Sequence, residues 1–256
     1  MSELNVLFVG AHPDDEIMVG GILAALSAHG AHTTVVCATD GRGGEDGGVP
    51  EAAEPEARAR VREAELRCSV RALGVHELIL FGYEDPAIGP NEELYPYTDD
   101  EETLVTRIVD VIRQTGADVV LTHGSDGEYG HPAHVQTHRA VLRAVQEHTP
   151  HVLLYTIHAY VPNLDTRSWN VHDPAHLMLD ITPWFEQKYA AMLCHRTQHP
   201  LFLRHRNLDN VRQAVRSVEA VRRYHPPVPE GEAPQDAFAE ALLKLGAQRV
   251  PSVGEA

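Results

Sequence analysis

Five short apolar runs alternate with stretches of helical periodicity, and this alternation restricts the chain to few folds. The runs are Leu4–Val9, Thr33–Ala38 (TTVVCA), His76–Phe81 (HELILF), Ala117–Leu121 (ADVVL) and His151–Ile157. Continuous β-branched runs of this kind read as buried parallel strands. The segments Ile17–Ala28, Glu56–Leu73, Glu101–Thr115 and Ala133–Gln146 read as helices, the third with Leu104, Val105, Ile108, Val109 and Ile112 on one face. Strands that alternate with helices of this length imply βαβ units and a mainly parallel sheet. The fold class expected is therefore α/β, a Rossmann-like sheet flanked by helices in a single domain over residues 1–224. Thr182–Leu193 and Leu208–Tyr224 are expected as further helices, separated by a His- and Arg-rich segment. Residues 225–256 read as a Pro/Glu-rich linker (HPPVPEGEAPQD) and C-terminal tail. A short helix over Phe238–Leu245 and structureless final residues are expected there.

Composition narrows the function classes. At 256 residues with 43% hydrophobic content, the chain can bury one sizeable core. A formal net charge of −16 argues against nucleic acid and against anionic membrane surfaces as partners. Cys37, Cys68 and Cys194 form no CxxC pair, so reduced, mostly buried thiols and a cytoplasmic location are expected. No basic leader and no apolar stretch of about 18 residues is visible. There are 17 histidines, so a histidine carries weight here only when its spacing is informative.

Two loops after predicted strands carry such spacing. The first apolar run ends at Gly10 and is followed by His12, Pro13, Asp14, Asp15 and Glu16. The fourth runs into THGSDGEYGHPAH, which offers Asp126, Glu128, Tyr129, His131 and His134. Functional loops of parallel sheets gather at the carboxyl ends of the strands, where these two can meet. A catalytic zinc needs three protein ligands and an open position. His12, Asp15 and His134 can supply them, with Asp14 as a base for the metal-activated water. His131 and Tyr129 can donate to an oxyanion. Read by itself, the His131–His134 pair is equally a ligand pair or two helix-start histidines. An Asp in the first loop can equally cap a helix, although capping does not explain His12, Asp14 and Asp15 together.

The hexapeptide Ala11–Glu16 (AHPDDE) resembles the hallmark of the PIG-L/LmbE-like deacetylases, zinc-dependent enzymes acting on N-acetylglucosamine derivatives. Gly130-His131-Pro132-Ala133-His134 resembles that family's H-P-D-H segment, and the resemblance spans most of residues 4–200. It implies His12, Asp15 and His134 as ligands of zinc or another divalent metal, with Asp14 as general base. It also implies His131 as general acid or oxyanion stabiliser, with Tyr129 beside it. Weaker matches imply substrate-binding roles for Arg62, in an R-x-x-E helix, for Asp85, after the third strand, and for His195, in KYAAMLCHRTQ. The substrate implied is a small aminosugar conjugate, and relatives that assemble imply a homo-oligomer. One departure is Ala133, where the family usually has an Asp that holds the neighbouring histidine. Asp126 or Glu128 substitutes for it, or His131 acts as a neutral donor. A dinucleotide site is disfavoured, because the opening turn lacks the second and third glycines and would set carboxylates against a pyrophosphate. A hydrolase of other amides and a non-catalytic binding relative are the remaining alternatives.

Overall fold

Strand β1 (Asn5–Gly10) runs through the middle of the molecule and feeds two cores at once. Its side chains alternate: Val6 and Phe8 pack on one face of the sheet, Leu7 and Val9 on the other. The computed structural model describes residues 4–162, 164, 170–204, 207–229 and 231–251. The final residues, expected to lack structure, lie outside them.

Strands β2 (His32–Thr39), β3 (Glu77–Tyr83), β4 (Val119–Thr122) and β5 (Leu153–Ile157) join β1 in a parallel array ordered β3-β2-β1-β4-β5. The connecting helices are α1 (Gly20–Ala28), α2 (Pro55–Ala72), α3 (Glu101–Thr115), the single turn α4 (Gly127–Gly130) and α5 (Pro132–Arg143). Helices α1 and α2 cover one face through Leu23, Leu66 and Val70, and α3 and α5 cover the other through Leu104, Ile108 and Val141. The chain order reverses between β1 and β4, so the loops that follow these two strands open side by side. The expected parallel α/β sheet in a single domain is the fold observed.

Local signals set several boundaries. Asp100 accepts from Thr103 N at 3.0 Å to start α3, and Gly116, at φ 58°, ends it. Pro132 occupies the first turn of α5, as its sequence position predicts. Gly21 cannot be replaced, because a Cβ there would lie 2.5 Å from Ile181.

The second half of the chain departs from expectation. It comprises β6 (Ala159–Tyr160), β7 (Asn170–Pro174), β8 (Leu177–Asp180), α6 (Phe185–Cys194), α7 (His199–Arg204), α8 (Val211–Ala214), β9 (Val218–His225), α9 (Ala237–Lys244) and β10 (Gln248–Arg249). The helix expected over Leu208–Tyr224 is instead the short α8 followed by β9. This strand pairs antiparallel with β5 on one side and β8 on the other, and that pairing overrides the helical reading. The boundary drawn at residue 224 does not separate a tail from the core. Phe238 and Leu242 of the expected short helix are buried, Tyr155 donates to Asp236 at 2.7 Å, and β10 pairs with β8.

The cysteine expectation is corrected too. Cys68 of α2 and Cys194 of α6 are joined in a disulfide across 126 residues of sequence, and only Cys37 is a free thiol. Among the described residues no helix is long and apolar enough to cross a membrane.

Candidate active site

The turn after β1 and the loop after β4 bring His12, Asp15 and His134 together. His12 Nδ1 lies 3.2 Å from His134 Nε2 and 3.6 Å from Asp15 Oδ2, and His134 Nε2 lies 3.3 Å from Asp15 Oδ1. A tetrahedral ion bonded at about 2.0–2.1 Å separates its ligand atoms by roughly 3.4 Å, and the spacing of the two imidazole nitrogens from each other and from the Asp15 carboxylate lies near that value. Each donor is also fixed from behind. His134 Nδ1 donates to Glu128 Oε2 at 2.6 Å, and His12 Nε2 faces Asp85 Oδ1 at 3.4 Å. Asp15 Oδ2 accepts from the backbone N–H of Ala11 at 2.8 Å and of His12 at 2.6 Å. Imidazoles backed by carboxylates, with one nitrogen of each aimed at a common point, form the usual surroundings of a metal ligand. The residues present therefore fit a divalent metal. His131 also comes close, its ring stacked on His134 with centroids 4.5 Å apart and 4.7 Å from that of His12.

Asp14 stands beside the triangle in a strained backbone conformation, φ 121° and ψ −14°. Non-glycine residues keep such angles only where their surroundings enforce them. Here Arg62 donates to Asp14 Oδ1 at 3.0 Å and to the carbonyls of Pro13 and Gly41, while Asp14 N donates to Glu16. Burial pushes the Asp14 carboxyl up to about 6 against the opposing charge of Arg62. Asp15 goes the other way: the imidazoles of His134 and His123 overcome the cost of burial and hold its carboxyl well below the usual range.

His131 caps the start of α5, its Nδ1 accepting from Ala133 N at 3.2 Å. That bond leaves the proton on Nε2, so His131 presents an N–H donor while neutral. Burial, then the neighbouring His12 and His134, lower its pKa to about 3. Of the expected substitutes for the missing Asp, neither holds His131. Asp126 binds His172 Nδ1 at 2.7 Å, and Glu128 binds His123 and His134. Ala133 itself is buried in the core. Tyr129 packs edge-on to His131 at 5.7 Å and remains 55% exposed, available to a ligand.

The three residues expected to bind substrate are placed differently. Arg62 is 3% exposed and spends its bonds on Asp14 and two carbonyls. Asp85 is buried and faces His12 instead of standing open to a hydroxyl. His195 is wholly buried, its Nε2 bonded to Glu16 Oε1 at 2.6 Å, with Ser69 Oγ on the same oxygen. It therefore packs behind the site rather than lining it. Sequence reasoning missed His123, the first residue after β4, which is completely buried between Asp15 and Glu128. Its place directly past a strand end was the available signal. Asn170, which reaches Glu128 from across the fold, had none.

A doubly wound sheet with a His/Asp cluster fit for a metal at its switch point defines the class. Residues 7–145, more than half of the chain, match the family model described as PIG-L: GlcNAc-PI de-N-acetylase, and the chain belongs to that family. A relative from Thermobifida fusca, named 1D-myo-inositol 2-acetamido-2-deoxy-alpha-D-glucopyranoside deacetylase, is 34% identical over 56% of this chain and 55% of its own length. The chain spans about half the length of the curated relatives it matches in this way. Among solved structures, the N,N'-diacetylchitobiose deacetylase from Pyrococcus horikoshii superposes with TM-score 0.62 at 21% identity, covering 88% of this chain and 87% of that one. The 4-carboxy-2-hydroxymuconate hydratase GalB from Pseudomonas putida superposes with TM-score 0.61 at 23% identity, covering 90% and 100%. At these identities the likeness concerns the fold, and a fold alone does not fix a reaction.

Proposed function

We propose that this protein is a zinc-dependent hydrolase that removes the N-acetyl group from a small N-acetylglucosamine conjugate. The observation that carries the reading is the triangle of His12 Nδ1, Asp15 and His134 Nε2 with Asp14 beside it. Family membership and the names of the relatives supply the substrate class.

A zinc ion bound by His12, Asp15 and His134 supplies Lewis acidity and lowers the pKa of water. Asp14, fixed by Arg62, takes the proton from the attacking water and returns it to the departing amine. His131 donates from Nε2 to the oxygen that gains charge, and the Tyr129 hydroxyl adds a second donor. The products are acetate and the free amine, so no further reactant is needed.

The test combines metal analysis with acetate release from N-acetylglucosamine conjugates that differ only in aglycone, with zinc compared against other divalent ions. Asp14→Ala should abolish turnover and leave zinc bound. Loss of the metal in that variant would mean that Asp14 and Asp15 have each other's roles.

A further inference from the structure

A single carboxylate stands behind two of the three proposed metal donors. Glu128 Oε2 lies 2.6 Å from His134 Nδ1 and 2.9 Å from His123 Nδ1. Its Oε1 accepts from Gly124 N at 3.1 Å and from Asn170 Nδ2 at 3.2 Å. His123 carries the connection onward, its Nε2 lying 3.1 Å from Asp15 Oδ2. We propose that Glu128 is the positioning residue of the metal centre, holding His134 directly and Asp15 through His123.

The chemistry of each contact supports this. To donate to Glu128, His134 must carry its proton on Nδ1, which leaves the Nε2 lone pair bare toward His12 and Asp15. The three donors on Asp15 Oδ2, from Ala11 N, His12 N and His123, leave Oδ1 turned to His134. His12 is served separately by Asp85. Asp15, His123 and His134 also form a compact group of metal-capable atoms. Both ring nitrogens of His123 already face carboxylates, however, so it serves as a link and not as a ligand.

The backbone shows what this placement demands. Glu128 has φ 61° and ψ −61°, a conformation that L-residues rarely adopt. Asn170 holds it there. Its Oδ1 accepts from Glu128 N at 2.9 Å, and its amide occupies the space a Cβ on Gly124 would need, 2.0 Å away. A residue without a task for its side chain would be glycine at such a position. Where the family resemblance implies an Asp at position 133, this chain has Ala133, and a carboxylate from the preceding turn is directed to His134 instead of His131.

The proposal rests on the metal-site reading above, and the experiment separates the two. Zinc affinity is measured by titration of the chelator-treated protein, together with the visible spectrum of the cobalt form. Glu128→Gln should weaken zinc binding by about 10–100-fold and alter the cobalt spectrum. His123→Gln, which frees only Asp15, should weaken binding by less. Glu128→Gly removes the carboxylate while relieving the backbone, so it should bind zinc as weakly as Glu128→Gln. Unchanged zinc affinity and cobalt spectrum in Glu128→Gln and Glu128→Gly would overturn the proposal. An unchanged His123→Gln alone would overturn the Asp15 arm. Absence of zinc binding by the wild-type protein would overturn the metal-site reading itself.

Discussion

Arg62 in α2 donates to Asp14 Oδ1 at 3.0 Å across 48 residues of sequence, with both side chains largely withdrawn from water. The same guanidinium holds the carbonyls of Pro13 and Gly41, so it fixes the loop as well as the carboxylate. Arg62→Ala should lower kcat by about 10²-fold, the lower end of what a positioned base contributes. Zinc content should not change, and stability should fall by about 1–3 kcal/mol from the carbonyls left unpaired. Arg62→Lys should recover only part of the activity, since one ammonium cannot reproduce a planar fork. Acetate release, metal analysis and urea unfolding read these effects, and an unaltered kcat would remove Arg62 from the account.

Lys188 and Glu219 form a pair at 2.7 Å with almost no exposure, and Glu219 also accepts from Gly21 N and Ile22 N at the start of α1. Lys188→Met leaves that carboxylate buried without its cation and should cost about 3–5 kcal/mol in urea unfolding. Adding Glu219→Gln should return part of the loss, because an amide can still accept from one of the two N–H groups. A double variant less stable than the single one would contradict this.

The Cys68–Cys194 bridge makes a definite count of thiols. Denatured, unreduced protein should titrate one thiol, Cys37, and reduced protein three. Reduction should lower stability by about 2–5 kcal/mol, since the bridge closes a long loop in the unfolded chain. Three thiols without reductant would show that the bridge does not form.

His176 gives an acid dependence of stability that can be assigned. Its Nδ1 accepts from Arg223 N at 3.1 Å. Burial, then the charges of Arg222 and Arg223, hold the imidazole down to about 4 from its ordinary 6.5. Protonation therefore favours the unfolded chain, so the contribution of this group is complete above 6.5 and is lost as pH falls toward 4. In His176→Asn, whose Oδ1 can accept the same N–H without titrating, the urea midpoint should fall less between roughly pH 7 and pH 5 than in the wild type. Equal slopes would exclude His176 as the source.

Periodicity made the first five strands and α3 legible, because each buries a face whose pattern is local. Strand β9 was not legible, because VEAVRRYH becomes a strand through its antiparallel neighbours β5 and β8. At the site, His12, Asp14, Asp15, His131 and His134 were visible because turns hold them close in sequence. The burial of His195 against Glu16 depends on α6 packing against α2, which no spacing records. The disulfide was hidden for the same reason. His123 and Glu128 sit inside a readable loop, yet their pairing depends on Asn170, 42 residues beyond Glu128.

The segment by which the family is recognised ends at residue 145 and contains His12, Asp14, Asp15, Glu128, His131 and His134. Besides the supports inside it, three come from beyond it: Asn170 on Glu128, His195 on Glu16, and Glu219 on the first turn of α1. The stretch that marks ancestry is therefore smaller than the stretch that can be cut out and still work. A protein dissected at the end of the recognisable segment would keep every reactive side chain and lose these three supports. Transplanting the two motifs onto another sheet would carry the same defect unless these three distant supports travelled with them.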